Sequence, residues 1–314
     1  MVEMYVANTD NKWFDFLRST GPHQEINFWK PSQQIFKAIN EGGLFVFRLK
    51  SPRNLIGGYG ILASSINAPI SLAWDSLGIS NGVANLEELV QAIAKYRDSR
   101  DTDMYSQIGC RVLIEPVFFN EEEWFEVPID WSSNIVTGKV YDSRTVHGEK
   151  LLNRLQERTN PNALFKRDRL LIEGMGEKPQ EKYGAPITVL PRLGQGAFRM
   201  KVSDAYKLTC GVSDTRVLPA LDAAHIRPFA SGGTHRVDNG ILLRKDIHCV
   251  FDAGFATFDT DMKFVVSKMV KERFNNGHEY RKMHGKKLEL PILPSFWPSQ
   301  ANLEWHRHNS LEKI

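Results

Sequence analysis

The stretch Leu221–Ser267 limits the possible folds of this 314-residue chain more than any other. A short strand carries Asp222 and His225, Gly232-Gly233 open a loop, and Asp238-Asn239-Gly240 supply the turn that starts a second strand, Ile241–Arg244. A helix then bears Asp246, His248 and Asp252 and stops at Gly254, where a glycine suits the end of a helix. Phe255–Asp259 and Lys263–Ser267 read as a hairpin. Strand, loop, strand and helix thus bring one histidine from the first strand and one from the helix toward a common point.

His225, Asn239 and His248 are separated by 13 and 8 residues and lie in the phrases AAHIRP, DNGILL and DIHCVFDAG, preceded by RLGQGAFR. This pattern resembles the H-N-H nucleases of the ββα-metal fold, over roughly residues 190–270. Phosphodiester hydrolysis needs an activated water, neutralised phosphoryl charge and help for a poor leaving group. An imidazole titrating near neutrality suits the first task, so His225 is the expected general base. Asp222 and His248 are expected to hold one divalent cation, Mg²⁺ or Mn²⁺. The resemblance gives Asn239 the role of bracing the loop and the catalytic histidine. The two CxxC pairs that hold zinc in many relatives are absent, so no structural zinc is expected. Cys110, Cys210 and Cys249 are too scattered for a zinc clamp or a disulfide framework. Plainer readings stay open: Asp222 as a turn or cap residue, Asn239-Gly240 as a tight turn, Asp252 as a solvated helix end. His235 is left in a loop without a role.

The first half alternates short apolar runs with helical stretches, a pattern of α+β type. A helix is predicted over Ser32–Ile39, between Pro31 and Gly42-Gly43, and another from Asn85, whose side chain and Glu88 form a capping box. Gly57-Gly58-Tyr59-Gly60 suggests a strongly bent strand, and Arg111–Phe119 a strand crossed by Pro116. The phrases DNKWFDFL, EINFWKPSQQ, LIGGYG and LAWDSLG resemble the EVE domains of the PUA-like superfamily, over about residues 1–140. That likeness implies a small curved sheet or barrel with helices that flips a modified base out of a duplex. A flipped base offers a π-face worth about 1–3 kcal/mol in stacking. Trp29, with Asn27 and Phe28 beside it, is the expected stacking wall, and Trp13 and Trp74 are further candidates. Aromatic residues in a small β domain also make ordinary core.

The predicted organisation is a reader domain over residues 1–140, a helical and extended linker over 141–189, and a nuclease domain with a basic C-terminal extension over 190–314. Net charge is −5 over residues 1–140 and +8 over 141–314, so phosphate affinity is expected mainly from the second domain. Lys268, Lys271, Arg273, Arg281, Lys282, Lys286 and Lys287 are candidate backbone contacts. No secretory signal or membrane span is read, which points to the cytoplasm. As a whole the chain resembles EVE-HNH modification-dependent restriction endonucleases. That resemblance implies a substrate of double-stranded DNA carrying 5-methylcytosine or 5-hydroxymethylcytosine. With one nuclease site per chain, double-strand cleavage is expected to need a second nuclease domain, from a homodimer or from another molecule bound at a nearby modified site. Two rivals are a non-catalytic binder of modified nucleic acid and an RNA-directed HNH nuclease.

Overall fold

The structure, a computed structural model, describes residues 2–97, 102–159 and 194–310. It divides into two compact units, Met1–Arg192 and Leu193–Ile314, and its class is α+β. The helical and extended linker read over 141–189 lies, from residue 160 on, outside the described residues.

The first unit is built on a seven-stranded mixed sheet. Its strands are β1 (Glu3–Thr9), β2 (Glu25–Asn27), β3 (Leu44–Leu49), β4 (Leu55–Pro69), β5 (Gln107–Phe118), β6 (Phe125–Glu126) and β7 (Gly138–Asp142). The order is β2-β5-β4-β3-β1-β7, with β6 added to β4; β1 and β3 run parallel and the other pairs antiparallel. The bend read from the glycine run is present: β4 slips register against β5 between Tyr59 and Ile61 and again between Leu62 and Ser64. Gly58 is needed there, since a Cβ would come within 2.1 Å of the Val117 carbonyl oxygen.

Helix α1 (Asn11–Thr20) starts at Asp10, whose carboxylate accepts from the Lys12 and Trp13 amides. Its buried face, Trp13, Phe14 and Leu17, packs with Phe45 and Phe47 of β3 into an aromatic core. Helix α2 (Ile70–Leu77) follows β4 directly. Helix α3 (Leu86–Ala94) has the predicted cap: Asn85 accepts from the Glu88 amide at 2.9 Å, while Glu88 reaches back to the Ala84 amide at 3.2 Å. Helix α4 (Val146–Arg158), read as part of the linker, packs within the first unit, with Leu151 and Leu155 buried and Arg158 Nε donating to the Glu123 carbonyl at 2.7 Å.

The helix predicted over Ser32–Ile39 does not form. Neighbouring strands hold this segment in an irregular path instead. The Gly109 amide donates to Lys30 and Ser32, Asn67 to the Gln33 carbonyl, and the Phe36 amide to Ser65 Oγ. Those bonds take up backbone groups that a helix would have paired internally.

The second unit opens with α5 (Gln195–Ala205), which lays Phe198 and Val202 on the hairpin β8 (Leu221–His225) and β9 (Gly240–Arg244). Helix α6 (Lys245–Asp252) follows at once, then the hairpin β10 (Ala256–Phe258) and β11 (Phe264–Val266). Short helices α7 (Met269–Phe274) and α8 (His278–Arg281) and the longer α9 (Gln300–Ser310) complete it. The basic C-terminal part contributes Val270, Met283, Leu288 and Leu303 to the same core as Phe198 and Ile241. Cys210 is buried, and its sulfur accepts from the Arg244 amide at 3.2 Å.

Candidate active site

In the β8–β9 hairpin His225 pairs with Gly240, and Asp222 with Leu243. The next element, α6, sets His248 against Asp222. His248 Nδ1 lies 3.1 Å from Asp222 Oδ2, and its Nε2 lies 3.1 Å from Asp252 Oδ2, one helical turn on. Asn239 is wholly buried and braces the loop: its amide nitrogen donates to the Arg227 and Thr234 carbonyls at 2.9 and 2.8 Å, and its oxygen accepts from the Arg227 amide at 2.9 Å. His225 stacks on Phe198, ring centres 3.9 Å apart, and its Nε2 lies 3.0 Å from His235 Nδ1. His235 in turn stacks on Phe229. A cleft of about 540 Å³ is lined by Asp222, His225, His248 and Asp252, with Arg199 and His306 on its walls.

The two predicted histidines differ sharply in charge. Burial, reinforced by the positive fields of His235 and His248, pushes His225 down to about 4, so at neutral pH it is unprotonated and free to accept a proton, though a weaker base than a free imidazole. Burial alone would also lower His248, but its hydrogen bonds to Asp222 and Asp252 win and hold it up at about 9. Asp222 answers: burial would raise its carboxyl, and the bond to His248 keeps it below the usual range. Arg199 Nε stands 3.8 Å from Asp222.

The residues proposed to hold a base lie in the first unit around Asn81. Trp29 Nε1 donates to the Asn81 carbonyl at 2.9 Å, Asn27 donates to Asn81 Oδ1 at 2.9 Å, and Asn81 donates to the carbonyl of Ala73, next to Trp74. Trp29 and Trp74 are half-buried. Trp13, Phe28 and Asn27 are buried. Trp13 and Phe28 meet edge to face at 5.3 Å, and Trp13 Nε1 donates to the Asn27 carbonyl. Both rings are built into the core of this unit, whereas Trp29 and Trp74 keep part of their surface exposed.

Residues 208–259 match the HNH endonuclease family. The second unit carries an HNH nuclease domain. No curated protein matches the chain. Among solved structures, the ASCH protein from Zymomonas mobilis covers 48% of this chain and 94% of its own at 10% identity and a TM-score of 0.32. The modification-dependent TagI restriction endonuclease covers 92% of this chain and 76% of its own at 13% identity and a TM-score of 0.27. Both scores are too low for the likeness to decide fold or function.

In the HNH domain, Asp222 and His248 offer one hard oxygen and one imidazole nitrogen side by side. That pair fits a Mg²⁺ or Mn²⁺ ion, which keeps water and substrate oxygens in the rest of its shell. Among the described residues no group of three His, Cys, Asp or Glu side chains is placed to hold a metal by itself. Both nitrogens of His248 face carboxylates, so an ion bound there takes the place of a proton.

Sequence reading missed His235, Arg199 and His306. His235 lies only four residues before Asn239, but the loop's course is fixed by the bonds of Asn239 rather than by any local signal. His306 arrives from α9, where it stacks on Phe251 at 3.8 Å and bonds Thr257 through Nδ1 at 2.8 Å. The basic side chains from Lys268 to Lys287 named above are exposed, and Lys282 pairs with Glu279.

Proposed function

We propose that this chain is a modification-dependent DNA endonuclease: residues 1–140 read a flipped modified cytosine, residues 141–189 join the units, and residues 190–314 cut a nearby phosphodiester. The convergence of His225, His248 and Asp222 on one open cleft, with Asn239 buried in the loop behind it, carries the nuclease half of this reading. His225 Nε2 faces His235 at 3.0 Å; with Nε2–H donating to His235 Nδ1, the other nitrogen, Nδ1, is left unprotonated to take a proton from water. Phe198 holds the ring plane, and Asn239 holds the loop that brings His235 to it. Asp222 and His248 would hold the divalent ion, which when bound neutralises charge on the phosphoryl and leaving oxygens. Arg199 adds a cation at the cleft wall.

The modified-base half is supported by the sequence phrases of the first unit and by half-buried Trp29, bonded to the Asn81 carbonyl, and half-buried Trp74, next to Ala73, whose carbonyl accepts from Asn81. A second copy of the chain would supply the second nuclease site for a double-strand break. Digestion of methylated and unmethylated plasmid and of RNA, with Mg²⁺, tests the reading. Cutting of RNA in preference to DNA would favour the RNA-directed alternative, and binding without cutting the non-catalytic one.

A further inference from the structure

Arg111 of β5 is 8% exposed, and its Nε and Nη1 have no hydrogen-bond partner although both are shut off from solvent. A guanidinium stays charged in any protein environment, so losing a proton gives no relief. The Phe36 ring lies over it, 4.7 Å from the guanidinium carbon. Such a ring attracts the charge but leaves the in-plane N–H groups unfilled. Arg18, Arg53 and Arg144 of this unit have carboxylates, Glu121, Asp15 and Asp142. Arg48 also has a buried Nε without a partner, but its two terminal nitrogens donate to Asn8 and Asn54. Residues 1–140 hold more acidic than basic side chains, so the lack of a carboxylate beside Arg111 is a matter of placement.

A second cation stands close by. Half-buried Lys30 feels Arg111 first and Lys50 next, and both, after burial itself, push it below its usual range. Lys50 has Asp10 at 4.0 Å. Among the described residues no carboxylate acts on Arg111; its titratable neighbours are the Tyr5 hydroxyl and the buried Cys110 thiol. Two cations and two empty N–H donors call for an anion with several acceptor oxygens.

We propose that Arg111 and Lys30 form an anion site of the first unit that takes a phosphate oxyanion, with Phe36 as its cover. The planar fork of an arginine matches two phosphate oxygens at once, and a lysine adds a point charge. A neutral base edge would fill the donors and leave the charge unbalanced. Phe36 belongs to the irregular segment 31–43, whose amide at Phe36 is held by Ser65 Oγ, so the site opens by moving one side chain and not a strand. The phosphate of a nucleic-acid backbone and free phosphate share this chemistry. The site does not depend on which base the unit reads.

The test is the melting temperature of the full chain in inorganic phosphate against chloride at equal ionic strength, for wild type and R111M. Wild type rises by about 2–4 °C beyond R111M, as binding to the folded state alone requires. General stabilisation by phosphate salts lifts both proteins alike, so only the difference counts. Equal responses overturn the proposal. If R111M does not fold, K30M is melted in the same way, and the side-chain N–H signals of the wild-type arginines are followed by NMR during a phosphate titration; a static Arg111 signal overturns the site. Binding of duplex DNA at several salt concentrations separates the sources. A slope lower by about one in R111M assigns a backbone phosphate, whereas an unchanged slope with the phosphate response intact assigns free phosphate. A chain without preference for modified DNA that still shows the phosphate response keeps this site and loses the base-reading role.

Discussion

His225 Nε2 and His235 Nδ1 lie 3.0 Å apart, and each ring is stacked on a phenylalanine, Phe198 and Phe229. Only one proton fits between the two nitrogens, and when His225 Nε2 carries it to an accepting His235, Nδ1 of His225 is the basic nitrogen. His225→Ala is expected to lower cleavage by about 10²–10⁴-fold with DNA affinity nearly unchanged, because the base contributes little to ground-state binding. His235→Ala should lower kcat by about 10–100-fold, as loss of an orienting partner does in metal sites. His235→Asn, which keeps an acceptor, should recover part of it. Full activity in His235→Ala, measured by single-turnover cleavage, would leave the orienting to Phe198 alone.

His248→Ala should be inactive at ordinary Mg²⁺ and partly rescued at raised metal concentration, since one ligand of the ion is lost. A metal dependence identical to wild type would move the ligand role to another side chain.

The first-unit aromatics should divide by burial. Trp13→Ala and Phe28→Ala should destabilise the fold by about 3–5 kcal/mol, as removal of a packed core ring does. Trp29→Ala should leave the melt largely intact and abolish the preference for methylated over unmethylated oligonucleotides. A collapsed melt in Trp29→Ala would make it core, and an unchanged ratio would shift the pocket toward Trp74.

His306 gives stability a pH signature. Burial pushes it down to about 4 from 6.5, so above pH 6.5 it is neutral in both folded and unfolded chains and its contribution is fully present. As the pH falls toward 4 the unfolded chain binds the proton first, and that contribution is lost at up to about 1.4 kcal/mol per pH unit. Thermal melts from pH 7 to 4 should fall less steeply in His306→Asn. Parallel curves would contradict the buried neutral form.

The parts of the fold legible in the sequence are those fixed locally. The Asn85–Glu88 cap, the turn at Asn239-Gly240 and the spacing from His225 to His248 depend on neighbours within one turn or hairpin, and all appear in the structure. The failures are non-local. Ser32–Ile39 has helical spacing, but its backbone is claimed by Gly109, Asn67 and Ser65. Helix α1 carried signals that went unread, the Asp10 cap and the Trp13, Phe14, Leu17 face. Aromatic content left core and cage open for Phe28 and Trp13, whose burial depends on strands distant in sequence. Arg111 sits in a strand pattern where nothing announces that its partner would be missing.

The central claim is that one cleft around His225 cuts DNA because the DNA is modified. The most direct measurement is digestion of a supercoiled plasmid with a single methylated site by dilute wild-type protein and Mg²⁺, beside the unmethylated plasmid and the His225→Ala variant. One base and one metal serve one phosphate, so the methylated plasmid should first be nicked and then linearised more efficiently at higher protein concentration. The unmethylated plasmid and the variant reaction should stay supercoiled. Equal cutting of both plasmids would contradict the dependence on modification, and cutting by His225→Ala would contradict the assigned base.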